Sequence, residues 1–147
     1  MHKVMLVLDL DDTIIPSMSH GTELKRQIQI VHELLDFCDI NNIEYGINTA
    51  RTYPSLNGVD RSLQQRLKDV PYCFRPHKKS IPETKKKCML LFAKNRPKTN
   101  LILMDDKKKN CECVEQSNFK TIHVTPNGKG ITKKDIDTFK QKFWDLA

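Results

Sequence analysis

The stretch VMLVLDLDDTII, residues 4–15, joins a continuous apolar run to three closely spaced carboxylates. An unbroken apolar run of this length is typical of a strand that is covered on both faces of a parallel sheet. Asp9, Asp11 and Asp12 follow that run directly. Carboxylates this close repel one another, so a fold that keeps them usually gains something from their charge. The stretch therefore predicts a buried first strand that delivers acidic side chains to a functional edge.

Composition limits the class of protein. The chain has 147 residues, 38% apolar and 29% charged, with a net charge of +7, which predicts a single domain over residues 1–147. No apolar run approaches the roughly 18 residues of a membrane span, and the N-terminus lacks a signal-peptide pattern. We therefore expect no membrane association and a cytoplasmic location. The five cysteines form no CxxC pair, so we expect free thiols rather than a disulfide framework or a zinc site.

Strand-like and helix-like segments alternate along the whole chain. The pattern predicts strands over residues 3–10, 43–50, 70–74, 100–106 and 119–124, and helices over 23–38, 61–69, 83–95, 109–117 and 132–146. Such alternation predicts a Rossmann-like three-layer α/β sandwich, with a central parallel sheet of about five strands and helices on both faces. In sheets of this kind, sites lie at the carboxyl ends of the strands.

Acidic and hydroxyl side chains stand at three of those predicted strand ends. Asp9 and Asp11 end the first strand, Thr49 the second, and Asp105 and Asp106 the fourth. Residues two apart in an extended chain point the same way, so Asp9 and Asp11 are expected to face one ligand. Hard carboxylate oxygens without a matching histidine or cysteine select Mg²⁺. The predicted cofactor is therefore Mg²⁺.

This set of residues fits phosphoryl transfer. An ionised Asp9 is a competent nucleophile toward phosphorus and would form an aspartyl-phosphate. A second carboxyl group nearby could protonate the leaving oxygen and then activate water. The hydroxyl of Thr49 and a lysine could bind the phosphoryl oxygens, over which the transition-state charge is spread.

Three motifs carry a resemblance to a known family. VMLVLDLDDTI resembles the first motif of the haloacid dehalogenase (HAD) superfamily, YGINTAR is similar to its second, and LILMDD resembles its fourth. Residues 101–132 look most like the magnesium-dependent phosphatase-1 group. The resemblance implies that Asp9 is nucleophile and metal ligand, and that Asp11 is the general acid/base, reaching the metal through its backbone carbonyl. It also implies that Thr49 binds the phosphoryl group, that Asp106 is favoured over Asp105 as the direct metal ligand, and that Asp105 acts through water or by supporting the direct ligands.

The third HAD motif is a lysine ahead of the fourth strand, and here the sequence leaves a choice. Lys85 suits the spacing best, while Lys86 and Lys79 stay open. Asp12 stands where many members of the family have glycine. His20, after the first strand, and Arg51, after Thr49, are candidates for contact with the substrate.

The spacing of the motifs leaves no room for a cap domain. About ten residues separate the first strand from its helix, and about thirty separate Thr49 from the lysine region. Lysine clusters at 78–79 and 107–109 flank the third and fourth motifs, and a basic rim attracts polyanions. We therefore expect an open site for a phosphorylated substrate such as a phosphoprotein or a nucleic-acid end. No aromatic platform for bases is evident, and Phe74 is interpreted as a core residue.

Other functions remain open at the level of sequence. A phospho-receiver domain would place its acceptor aspartate on a middle strand, whereas Asp9 comes first. A non-catalytic HAD-like binding module with a basic surface would use the same fold. A small sugar or nucleotide phosphatase could close its site by oligomerisation, and the sequence does not define the oligomeric state.

Overall fold

The computed structural model of the chain describes residues 3–146, in which strands and helices alternate. The strands are β1 (Lys3–Leu8), β2 (Glu44–Asn48), β3 (Tyr72–Cys73), β4 (Thr99–Asp105) and β5 (Lys120–His123). The helices are α1 (Gly21–Ile40), α2 (Arg61–Leu67), α3 (Ile81–Lys94), α4 (Lys108–Glu115) and α5 (Lys133–Leu146). All ten predicted elements are confirmed. Their ends fall within two residues of the predicted ends, which is the usual uncertainty of a helix or strand boundary.

The five strands form one parallel sheet in the order β3-β2-β1-β4-β5. The chain runs outward from β1 to β3 and then returns to β4 on the other side of β1. Strand order therefore reverses between β1 and β4. The crevice outside the carboxyl ends at such a reversal is where open α/β sheets bind ligands.

Alternating side chains of the central strands build two apolar cores. Leu6 and Leu8 of β1 belong to the larger core, which includes Val31 of α1 and Phe139 of α5. The intervening Met5 and Val7 face the other side, where Met89, Phe92 and Val114 from α3 and α4 close a second core. Period-two alternation places successive strand residues on opposite faces. The predicted three-layer α/β architecture is confirmed.

Two local features follow from the sequence. Pro71 precedes β3, which has two residues and lies at the edge of the sheet, where a missing N–H is tolerated. Thr132 and Asp135 form a capping box at the start of α5. The N–H of Asp135 donates to Oγ1 of Thr132 at 3.3 Å, and the N–H of Thr132 donates to Oδ2 of Asp135 at 2.8 Å.

The prediction that the cysteines stay free is wrong for one pair. Cys73 at the end of β3 and Cys88 on α3 form a disulfide. They are 15 positions apart, and only the packing of α3 beside β3 brings them together. Cys38, Cys111 and Cys113 are free and buried. Burial raises the pKa of Cys38 and Cys111 to about 12, so both stay protonated and unreactive.

The connections at the carboxyl edge contain no further folded unit. Between β1 and α1 lies a turn-rich segment, and between β2 and α3 lie α2, β3 and their loops. This agrees with the expected lack of room for a cap. Among residues 3–146, no helix combines the length and apolar character needed to cross a membrane.

Candidate functional site

Three carboxylates meet where β1 and β4 end side by side. Asp9 follows β1, Asp105 ends β4, and Asp106 comes next. Since Leu8 pairs with Met104 across the two strands, the residues after them emerge together. One carboxylate oxygen from each aspartate lies within 4.8 Å of the others. All three side chains are buried, with 6%, 0% and 2% of the residue exposed. The expected convergence of these aspartates is therefore present; we call them the acidic cluster.

Lys85 is the cation of the acidic cluster. Its Nζ donates to Oδ1 of Asp9 at 2.7 Å and to the carbonyl of Asn48 at 2.5 Å, and it pairs with Oδ2 of Asp105 at 3.0 Å. Burial alone would lower the pKa of Lys85, but the carboxylates of Asp9 and Asp105 outweigh it and raise that pKa. The ammonium therefore stays charged although only 1% of the residue is exposed.

The structure separates Lys85 from the two other lysines that the sequence left open. Lys86, the next residue, points away and pairs with Glu83 at 3.2 Å. Lys79 is exposed in the loop before α3. Lys85 is thus the lysine that reaches the acidic cluster, because its position on α3 faces the sheet while Lys86 faces out.

One buried ammonium does not balance three carboxylates, although the exposed Nζ of Lys107 also lies 3.9 Å from Oδ2 of Asp106. Desolvation raises the pKa of Asp9 to about 7, against a lowering by Lys85, and the negative charge of Asp105 adds to the rise. The pKa of Asp106 is raised as well, mainly by burial. Oδ1 of Asp106 is buried with no hydrogen-bond partner. A buried, unpaired acceptor among carboxylates is costly unless a cation or proton meets it.

That donor set fits a hard divalent cation. All of the nearby side-chain donors on Asp9, Asp105 and Asp106 are oxygens, and no histidine or cysteine joins the group in residues 3–146. Carboxylate oxygens without nitrogen or sulfur suit Mg²⁺, which retains several waters and takes one or two carboxylates. The free oxygen of Asp106 leaves an acceptor available for such an ion.

Neighbouring polar groups hold the acidic cluster in place. Oγ1 of Thr13 donates to Oδ2 of Asp9 at 3.0 Å. The backbone N–H of Lys107 donates to Oδ1 of Asp105 at 2.9 Å, and the amide of Asn110 donates to both of its oxygens at 3.2 and 3.3 Å. Such outer contacts fix the direction of a ligating carboxylate.

Asp11 does not join the acidic cluster. Its carboxylate, 58% exposed, accepts hydrogen bonds from Nε of Arg51 at 3.1 Å and from Nη2 at 3.0 Å. The extended strand stops at Leu8, so strand periodicity does not set the direction of Asp11, and the expectation that Asp9 and Asp11 face one ligand stays a prediction. The chain then turns sharply, with the N–H of Ile15 donating to the carbonyl of Leu10 at 3.0 Å. Whether the Asp11 carbonyl binds a metal stays a prediction.

Asp12 adopts a backbone conformation that favours glycine. Its φ is +62°, in the left-handed region where most side chains are strained and aspartate is among the better tolerated. Its carboxylate accepts from the N–H of Ser17 at 3.2 Å, which secures the turn after β1. The position therefore has a backbone conformation that glycine adopts without strain.

The remaining predicted site residues are Thr49 and His20. Thr49 is fully buried after β2, and its Oγ1 accepts from the N–H of Arg51 at 3.1 Å. Its neighbour Asn48 supplies the carbonyl that Lys85 contacts. His20 is exposed at the start of α1, with no side-chain capping bond, and it is not among the residues gathered at the acidic cluster.

Sequence reasoning missed two buried amides. Asn48 donates from Nδ2 to the carbonyl of Lys85 at 2.9 Å, which ties β2 to α3 from both sides. Asn110 binds Asp105. Asn48 is the last residue of β2, and Asn110 lies on α4. A single asparagine at either place forms no recognisable sequence pattern. The only available signal was its nearness in sequence to Thr49 or to Asp105.

Comparison with known proteins extends to the fold alone. No family model and no curated protein matches the sequence. An uncharacterized protein from Corynebacterium glutamicum has a similar solved structure, with a TM-score of 0.58 over 97% of this chain and 96% of that one. The two sequences are 11% identical. The likeness covers the whole α/β architecture and carries no activity with it.

Proposed function

We propose that this protein is a Mg²⁺-dependent phosphomonoester hydrolase that works through an aspartyl-phosphate on Asp9. The observation that carries the proposal is the acidic cluster, with three buried carboxylates around a single buried ammonium at the reversal of strand order. A fold maintains uncompensated buried charge at a cost, and perturbed carboxylates in such a place mark functional sites. The HAD-like motifs assign the same residues.

The acidic cluster would hold the ion. Asp9, Asp106 and, more distantly, Asp105 are the proposed ligands, and a bound Mg²⁺ would supply Lewis-acid charge neutralisation at the phosphoryl group. Lys85 contributes independently of the ion. Its ammonium favours the ionised form of Asp9 and would offset charge on the transferring oxygens.

The reaction would proceed in two displacements. A carboxylate oxygen of Asp9 attacks phosphorus while the bond from phosphorus to the leaving oxygen breaks, and Asp11, which has taken a proton from solvent after leaving Arg51, gives that proton to the leaving oxygen. Asp11 then takes a proton from water, the water oxygen attacks phosphorus, and the bond from phosphorus to Asp9 breaks. Inorganic phosphate leaves and Asp9 is restored. Splitting the transfer in this way replaces one difficult step with two easier ones.

Asp11 must first leave Arg51 to play this part. The pair is exposed enough to open at little cost, and an arriving phosphoryl group would compete for the same guanidinium. Arg51 suits that exchange because its Nε and Nη2 already donate to the two oxygens of the Asp11 carboxylate. The same pair of donors can bind two oxygens of a phosphoryl group. Thr49, two residues before Arg51, would bind a further phosphoryl oxygen.

The surroundings favour a large or polyanionic substrate, such as a phosphoprotein or a nucleic-acid end. Lys107 and Lys108 at the rim have side chains that are 66% and 77% exposed. Such a rim speeds the encounter with polyanions in a salt-dependent manner. A cytoplasmic location stays a prediction, and the Cys73–Cys88 disulfide weighs against it because cytosolic proteins rarely keep such bonds.

The direct test is hydrolysis of p-nitrophenyl phosphate and of phosphorylated polyanions by the purified protein. We expect turnover that EDTA abolishes and Mg²⁺ restores, with a steep loss on salt addition for polyanions and a flat response for the small ester. A folded protein with no metal-dependent turnover on any phosphomonoester would instead favour the binding module. Equal salt slopes would remove the role of the rim.

A further inference from the structure

A cavity of about 440 Å³ lies against α3 and the end of β3. Its walls come from the end of β3, from the loop after it and from the outer face of α3. Two of the lining residues adjoin the proposed catalytic groups. Thr84 precedes Lys85, and the carbonyl of Cys73 accepts from the N–H of Thr49 at 3.0 Å. The cavity is therefore connected to the proposed catalytic groups through the end of β3 and the first turn of α3.

One wall of the cavity presents an aromatic ring. Phe74, interpreted from the sequence as a core residue, is 40% exposed and lines the cavity together with Leu91, which is 50% exposed. The ring is backed by Tyr72, at 6.4 Å between centroids. The core interpretation of Phe74 is therefore wrong, because β3 is an edge strand too short to be covered there. A supported, accessible ring is a stacking platform for a planar group.

The same cavity carries unbalanced positive charge. Lys79 and Lys87 line it, and in residues 3–146 no carboxylate forms an ion pair with either. The one acidic residue in the wall, Glu83, is paired with Lys86. An exposed ring that shares a cavity with two unpaired ammonium groups suits a ligand that is both planar and anionic.

A second cavity provides the contrast. One of about 410 Å³ on α5 is lined by two lysines and two aspartates, together with Thr138 and Gln141, and by no aromatic ring. The α5 cavity has a similar volume but neither a net charge nor a stacking surface, so its lining does not favour a planar anion. The chemistry of the α3 cavity therefore does not follow from its size or from the general abundance of lysine.

We propose that the α3 cavity binds a nucleotide unit of the substrate, with its base stacked on Phe74 and a second phosphate on Lys79 and Lys87. This inference rests on the proposed phosphatase function and narrows its substrate to a phosphorylated nucleotide. The nucleotide is either the end of a nucleic-acid strand or a free nucleoside bisphosphate, which share this chemistry.

Binding to the Asp9→Asn protein tests the inference without relying on turnover. The probes are a nucleoside 3′,5′-bisphosphate, its abasic analogue, a single strand with a terminal phosphate and a phosphotyrosine peptide. We expect Phe74→Leu to weaken nucleotide binding by about tenfold, since stacking contributes roughly 1–3 kcal/mol per base. Lys87→Gln should weaken it and flatten its salt dependence, while Lys142→Gln in the α5 cavity should leave it unchanged.

Several outcomes would overturn the inference. Abasic and complete bisphosphates binding equally well, or tighter binding of the phosphopeptide, would each do so, and neither comparison depends on a variant that must fold. Tighter binding of the strand than of the free bisphosphate would identify the strand end as the source. Nucleotide binding that responds to these variants in a protein without phosphatase activity would retain the subsite and reject the proposed function. Phosphatase turnover that is the same with and without the base would retain the proposed function and reject the nucleotide subsite.

Discussion

Two ion pairs at the carboxyl edge of the sheet differ in almost every physical respect. In the inner pair, Lys85 and Asp105 are 1% and 0% exposed in their side chains, and Asp9 shares the same ammonium. In the outer pair, Arg51 and Asp11 are 17% and 58% exposed. Desolvation makes the inner charges expensive to separate, whereas solvent screens the outer ones. A rigid inner group fixes geometry, and a loose outer group is free to exchange partners during a reaction.

The largest expected effect is on turnover. Asp9→Asn removes the proposed nucleophile, and we expect hydrolysis of p-nitrophenyl phosphate to fall by about 10⁴-fold or more, as when a catalytic nucleophile is lost elsewhere. The matched control is Asp137→Asn, an exposed aspartate on α5, which should retain normal rates. A phosphoenzyme found by mass spectrometry in the wild type and missing in Asp9→Asn would locate the intermediate. Loss of less than about tenfold would reject Asp9 as nucleophile.

The next effect is on stability. Lys85→Met leaves Asp9 and Asp105 buried without a counter-charge, and we expect the free energy of unfolding to fall by about 3–5 kcal/mol. Lys86→Met, one residue along α3, breaks an exposed pair with Glu83 and should lower the free energy of unfolding far less, because solvent screens that pair. Urea unfolding in EDTA measures both. Equal losses for the two lysines would show that burial does not make the ion pairs of Lys85 more important for stability than an exposed pair.

The acidic cluster should also make stability depend on pH and on Mg²⁺. The pKa of Asp9 is raised from 3.8 to about 7, so the folded state holds a proton that the unfolded state has already released. The contribution of Asp9 to the free energy of unfolding is therefore fully present below about pH 4 and is lost as the pH rises to about 7. Lys85 adds no pH dependence in this range, because its ammonium is protonated in both the folded and the unfolded state.

Mg²⁺ should reverse that loss. At a hundredfold excess over its dissociation constant, an ion that binds only the folded state adds about 2–3 kcal/mol. We expect this gain in urea unfolding at pH 8 and a much smaller one at pH 5, where protons compete for the carboxylates. Asp9→Asn should flatten the metal-free pH slope. A Mg²⁺ effect equal at both pH values would place the ion elsewhere.

The smallest effect belongs to the outer pair. Arg51→Ala should lower the free energy of unfolding by less than about 1 kcal/mol, because Asp11 stays hydrated after losing its partner. The measurement is urea unfolding beside Lys85→Met under the same conditions. A loss above about 2 kcal/mol would show that Asp11 and Arg51 are a structural clamp, which could not open for catalysis.

These contrasts explain what the sequence could and could not predict. The apolar run into Asp9 and its counterpart before Asp105 predicted the strands, and the parallel-sheet rule then predicted their convergence. The direction of Asp11 depended on a turn that begins immediately after β1 and on Arg51, 40 residues away. Strand periodicity holds no information about either.

The errors share one cause. Cys73 and Cys88 gave no pairing pattern, because a strand–helix contact and not their spacing joins them. Phe74 read as a core residue because hydrophobicity alone does not reveal that β3 ends at Cys73 on an open edge. In both places the decisive fact was the position of β3, at the open edge of the sheet and beside α3, which only tertiary packing defines.

Gly130 packs against the turn that positions Asp9, although it is far from Asp9 in sequence. A Cβ at this glycine, whose φ is +76°, would lie 2.8 Å from the carbonyl of Thr13, and the same residue's hydroxyl holds Asp9. A methyl group there would displace the backbone of Thr13, and with it the Asp9 carboxylate, without altering any charged residue. Gly130→Ala would therefore change the position of the attacking oxygen while leaving the charges around it the same.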